Sequence, residues 1–206
     1  MSMHRKIILF SILLFSGISF AQAQSFKKDV KAYREKYKSD FLTEEHSPFY
    51  NKKEDLKYLQ FYKPKKKYRV ECTFERTPKE ESFDMATYSG KTKKFVKYGV
   101  LSFNLNGQDL QLAVYQNLML QKMEKYKEYL FIPFKDLTNG ETTYGGGRYF
   151  DIMISDIKEN KLSLDFNKCY NPYCAFSDGY NCPIPPQENH LELSIEAGEK
   201  MFGKDH

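Results

Sequence analysis

Between positions 26 and 41, Phe26, Val30, Tyr33, Tyr37 and Phe41 recur at spacings of four, three, four and four. That spacing lays them along one stripe of a helix, with Lys27, Lys28, Lys31, Arg34, Glu35 and Lys38 on the other faces. Such a helix needs a body to lie on. Ser47-Pro48 ends the region, and the period then changes to two. Tyr68, Val70, Cys72 and Phe74 alternate with Arg69, Glu71, Thr73 and Glu75, the pattern of a half-buried strand. Further strands are predicted over 82–88, 95–105, 108–115, 129–134, 148–154 and 162–166, with a short last one through Leu191, Leu193 and Ile195. The stretch 118–128 fits either a helical turn or an excursion.

Asn106-Gly107 is the sharpest local signal, because a type I′ turn needs two residues that tolerate positive φ. With these two as the loop, Phe103 falls opposite Leu110 and Leu101 opposite Leu112, sharing one face with Leu105 and Val114. Turn chemistry and hydrophobic pattern therefore agree on one register. The chain is expected to be mainly β, an antiparallel barrel or sandwich of about eight short strands. An amphipathic helix precedes the strands, and a Pro/Cys-rich loop segment lies near the C-terminus. Residues 167–189 hold four of the eight prolines.

Residues 1–23 read as a leader rather than part of the fold. Arg5 and Lys6 precede the apolar run Ile7 to Phe20, and Ala21-Gln22-Ala23 supplies the small-x-small cleavage pattern. The run is shorter than the ~20 residues of a bilayer span. The expectation is a signal peptide, an exported protein (periplasmic or secreted) with no membrane span after cleavage, and one β-rich domain over 24–206. The full chain carries a net charge of +5, and without the leader 30 basic residues face 27 acidic ones. Lys63 to Lys67 and Lys91 to Lys94 are basic clusters, but they flank turns and the charge asymmetry is slight, so no nucleic-acid partner is expected.

Four motifs close the chain. They are Gly140-Glu-Thr-Thr-Tyr-Gly-Gly-Gly-Arg-Tyr-Phe-Asp151, Asp165-Phe-Asn-Lys-Cys-Tyr-Asn-Pro-Tyr-Cys174, Cys182-Pro-Ile-Pro-Pro-Gln-Glu-Asn189 and Glu196-Ala-Gly-Glu-Lys200. With Tyr129-Leu-Phe-Ile-Pro-Phe134 upstream, the sequence resembles the uncharacterised bacterial family catalogued as domain of unknown function 1684. The resemblance implies a shared arrangement and no activity. Cys169 stands where that family usually has alanine, and His190 where it usually has arginine.

Candidate chemistry concentrates in these motifs. Gly145, Gly146 and Gly147 free the backbone to approach a ligand, and Arg148 beside them can clamp an anionic group bidentately. A tight strand entry explains the same glycines equally well. Tyr144, Tyr149, Tyr170, Tyr173 and Tyr180 offer flat faces with polar tips for a pocket. Asp151, Asp165, Glu188 and Glu199 are candidate carboxylates, with Asn167, Asn171 and Asn189 beside them. Glu188 or Glu199 is the expected partner of Arg148. Against a catalytic role, Asp165 and Asn167 also suit turn capping.

Cys169, Cys174, Cys182 and His190 can be drawn as a zinc site, but the spacing lacks the short Cys-x2-Cys clip. Export favours a Cys174–Cys182 disulfide, with Cys72 either paired to Cys169 or buried. No metal or cofactor is expected. The leading reading is a binder of a small polar or anionic ligand at Tyr144 to Arg148 and 167–189. A carboxylate-based hydrolase in the same region and a structural or interaction module are the alternatives.

Overall fold

The computed structural model describes residues 24–204, so the predicted leader lies outside the described residues. The amphipathic stripe forms helix α1 over residues 24–43, with Phe26, Val30 and Phe41 buried and Tyr33 and Tyr37 half-buried. No helix among the described residues is long and apolar enough to cross a membrane.

Seven strands follow: β1 (Arg69–Arg76), β2 (Ser82–Ala86), β3 (Thr92–Leu105), β4 (Gln108–Asn117), β5 (Tyr129–Phe134), β6 (Arg148–Met153) and β7 (Lys161–Asp165). They make one antiparallel sheet in the order β6-β5-β4-β3-β1-β7, with β2 on β3 off this path. The 14-residue β3 carries both β2 and β1 on one edge, β2 along Thr92–Val96 and β1 along Gly99–Ser102. The sheet curls into a half-barrel whose end strands β6 and β7 do not pair with each other.

The hairpin between β3 and β4 has the expected register, Phe103↔Leu110, Leu101↔Leu112 and Leu105↔Gln108. Asn106 and Gly107 take φ of 53° and 84°, the left-handed values that the turn demands. Farther along the same pair a bulge between Lys97 and Gly99 shifts the register. The extra residue turns the strand over. Leu101 and Phe103 therefore join the main core with Val70, Leu112, Leu130 and Phe166, while Phe95 sits on the opposite face with Met85, Tyr115, Phe131 and Tyr149. A third cluster joins Phe41 of α1 to Phe49, Leu59, Ala175 and Phe176.

Residues 118–128 take the helical-turn alternative, as 3-10 turns at Leu120–Lys122 and Glu124–Tyr126. One expectation needs correction. The eighth strand does not form. Leu191 and Ile195 are buried, which explains their alternation, but the backbone makes scattered bonds instead of a ladder. Leu191 N–H donates to the Lys135 carbonyl, and Leu137 N–H to that of Leu193. Segment 167–189 is built from 3-10 turns at Phe166–Lys168, Tyr173–Ala175 and Gln187–Asn189 with extended chain between them.

Candidate functional site

The Gly-rich motif builds a strut. Gly147 has φ of 91°, and a Cβ there would come within 2.6 Å of the Phe134 carbonyl and 2.8 Å of Pro185, so the strand entry excludes any side chain. Arg148, at the start of β6, has no exposed surface. Its guanidinium donates to the Asp136 carboxylate, to the Ile195 carbonyl at 3.0 Å, and to the carbonyls of Ala197 and Glu199. Asp136 is also fully buried, and its other oxygen accepts from Thr138. The guanidinium fork thus binds the chain's own C-terminal segment. Asp136, and neither Glu188 nor Glu199, is its carboxylate partner.

The remaining motif residues tie loops. Glu188 accepts from Lys97 at 2.5 Å and from the Tyr115 hydroxyl at 2.7 Å. The Asn189 side chain bonds Ala113 N–H and the carbonyls of Ala113 and Pro133, stitching β4 to β5. Asp165 accepts from Asn167 and Arg69, and the Asn167 amide brackets both backbone groups of Lys65. Asn171 holds the Lys200 carbonyl. Glu199 is fully buried and accepts from Asn171 N–H and the Tyr37 hydroxyl, each at 2.8 Å. Burial pushes its carboxyl up to about 8, against the pull of those two donors. Tyr144 packs edge-on to Tyr88, whose hydroxyl donates to the Gly146 carbonyl, and Gly145 is at the surface.

The expected disulfide is not formed here. All four cysteines are free thiols. Cys174 N–H donates to Cys182 Sγ at 3.2 Å, and the Cys174 thiol turns to the Tyr180 carbonyl. Cys72 and Cys169 are buried without bonding each other, and burial pushes both thiols up to about 12. His190 faces the Pro185 carbonyl, and no cluster of His, Cys, Asp and Glu suited to a metal occurs among the described residues.

The open ground lies elsewhere. Where β6 and β7 fail to meet, a cleft of about 970 Å³ runs between them under α1. Strand β6 contributes Tyr149 and Asp151, β7 contributes Leu162 and Leu164, and α1 contributes Tyr33 and Tyr37. Asp151 pairs with Phe131 across β5–β6, on the opposite side of the strand from Arg148. Its carboxylate opens to the cleft and accepts the Tyr129 hydroxyl at 2.6 Å on one oxygen and the Tyr170 hydroxyl at 2.7 Å on the other. Tyr170 is held there by paired backbone bonds with Tyr149. Enclosure by protein raises the Asp151 carboxyl above its usual range, and the two hydroxyls pull it partway back. The same enclosure pushes both tyrosines well above the ordinary phenol value.

Of the residues predicted for a site, the cleft gathers Asp165 and Tyr170, together with Asp151, Tyr149, Tyr173 and Tyr180. Tyr144, the three glycines, Arg148, Asn167, Asn171, Glu188, Asn189 and Glu199 do not line it. Tyr129 and the α1 residues were missed. Tyr129 opens the Tyr129 to Phe134 motif, but nothing local shows that it reaches diagonally across the sheet to Asp151.

Fold and cleft together define a class, a β half-barrel with a helix laid over its open seam. The chain belongs to the family described as protein of unknown function DUF1684, whose model matches residues 54–200. That span holds Tyr129, Asp151 and Tyr170, while α1 precedes it. A solution NMR structure of an uncharacterised protein from Haloarcula marismortui is similar, with 31% identity over 87% of this chain and 96% of that one and a TM-score of 0.66. No curated protein matches the chain in sequence.

Proposed function

We infer that this protein is exported and binds a small polar ligand in the cleft between β6 and β7. One observation carries the binding reading: a cleft of about 970 Å³ with aromatic walls, in which two tyrosine hydroxyls orient the Asp151 carboxylate. Mostly apolar walls with a few convergent polar groups are the usual make-up of a small-molecule site. The expectation of an anionic ligand rested on Arg148, which is fully buried and whose two terminal guanidinium nitrogens are engaged by protein. It moves out of the site, and the structural reading suits the Gly-rich motif better. A hydrolase built on the predicted carboxylates has less support, because Asp165, the other one of them that lines the cleft, is committed to Arg69 and Asn167. Export is supported by the leader pattern of residues 1–23.

Untargeted ligand screening by thermal shift tests the binding reading, since a ligand selective for the folded state raises its apparent stability. Hits should stabilise the protein and lose their effect in Asp151→Asn. An absence of hits, or hits indifferent to Asp151→Asn, would overturn the reading.

A further inference from the structure

We propose that the ligand of this cleft is a protonated amine with an apolar body, its ammonium group seated on Asp151 between the rings of Tyr129 and Tyr170. The proposal rests on the reading of the cleft as a binding site and adds the chemical class of its occupant.

The charge balance of the cleft comes first. Six carboxylates line it against four cations, on a chain that is basic as a whole. Three of those cations are already spent on neighbours. Lys36 pairs with Asp40, Arg69 with Asp29 and Asp165, and Lys168 with Asp29. Lys93, the fourth, stands at the other end of the cleft, beside the Cys182 and Cys174 thiols. Asp151 makes no ion pair among the described residues. The groups that share its field are Tyr33, Tyr129, Tyr170 and Tyr173, which are neutral, and Glu44, which repels it. Asp151 is exposed to the cleft and has no counter-charge, so its field attracts a ligand cation and repels an anion.

Hydrogen-bond geometry narrows the cation. A carboxylate offers about four lone-pair sites, and two tyrosine hydroxyls occupy one on each oxygen of Asp151. The open ones call for N–H donors, which a protonated amine has and a quaternary ammonium lacks. Tyrosine faces attract a cation in their own right. Beyond the carboxylate, Phe131, Tyr149 and Tyr173 wall the cleft with rings suited to an apolar body.

Three probes of one shape separate the alternatives: phenethylammonium, 2-phenylethanol and phenylacetate, titrated calorimetrically into the purified protein. The ammonium should bind about ten-fold or more tightly than the alcohol, and phenylacetate should bind weakest. Asp151→Asn, with its melting transition intact, should bring the ammonium down to the level of the alcohol. Equal or tighter binding of the alcohol or the anion would overturn the amine class while leaving the cleft as a site. The class also fails if no probe binds yet screening yields a ligand that depends on Asp151. Silence from both the probes and the screen would remove the binding reading itself.

Discussion

Replacing Arg148 with lysine should loosen the C-terminal segment from the sheet and leave the cleft intact. The arginine is fully buried, one terminal nitrogen donating to the Asp136 carboxylate and the Ile195 carbonyl and the other to the carbonyls of Ala197 and Glu199. A lysine Nζ is a single point with three donors and cannot span that fork. Either Asp136 or two of the carbonyls would lose their partner inside the protein. Breaking a buried pair by truncating one member costs about 3–5 kcal/mol. Because lysine keeps the charge, the loss should be nearer 2–4 kcal/mol. For a protein of this size that lowers the melting temperature by roughly 5–15 °C. Urea denaturation followed by circular dichroism would measure it. Below the transition, phenethylammonium affinity should be unchanged, because Arg148 does not line the cleft. Joint replacement by Arg148→Met and Asp136→Leu should cost less than the two single changes added together, since it strands no charge. A loss under about 1 kcal/mol in Arg148→Lys, or unchanged stability with lost ligand affinity, would refute the strut and return Arg148 to the site.

Gly107→Val should cost about 1 kcal/mol or more in the same denaturation assay, because φ of 84° resists a β-branched residue even though the space beside it is open. Glu199 makes stability depend on pH in a definite direction. Its folded carboxyl titrates near 8 against 4.5 for the free group, so the folded state binds the proton more tightly. Its contribution is greatest below about pH 4.5 and is lost as pH rises toward 8, on the order of 5 kcal/mol in all. Glu199→Gln should flatten that slope, and an unchanged slope would show that Glu199 is ionised in the fold. Protein recovered from the native envelope fraction should begin at Gln24, and mass mapping without reduction should find Cys174 and Cys182 as free thiols. An uncleaved Met1 form would contradict export, a Cys174–Cys182 disulfide would contradict the free thiols, and stoichiometric zinc would favour a metal site instead.

The parts of the fold legible in the sequence are those set by local chemistry. Asn106-Gly107 fixes its own turn and thereby the pairing of Leu101 with Leu112. The stripe from Phe26 to Phe41 specifies a helix, but nothing along it says that its tyrosines roof a gap in a sheet. The bulge at Lys97/Gly99 reverses the buried face of β3 within one strand, so no single period describes it. Leu191, Leu193 and Ile195 alternate because burial demands it, and alternation alone does not supply a partner strand. Sequence reasoning centred the candidate site on Arg148, whereas the cleft takes Asp151 from the same Gly-rich motif. Arg148 and Asp136 meet because β5 and β6 are neighbours, and Asp151 meets Tyr129 for the same reason. Those are facts of register, visible only once the sheet is assembled.

The most direct test of the account is an amide chemical-shift titration of the isotope-labelled protein with phenethylammonium. The account predicts saturable shifts centred on Tyr129, Phe131, Asp151 and Tyr170, spreading to Tyr33 and Tyr37 of α1, and absent in Asp151→Asn. Shifts centred instead on Gly147, Arg148 and residues 195–199, or none at concentrations where another ligand saturates the protein, would contradict it.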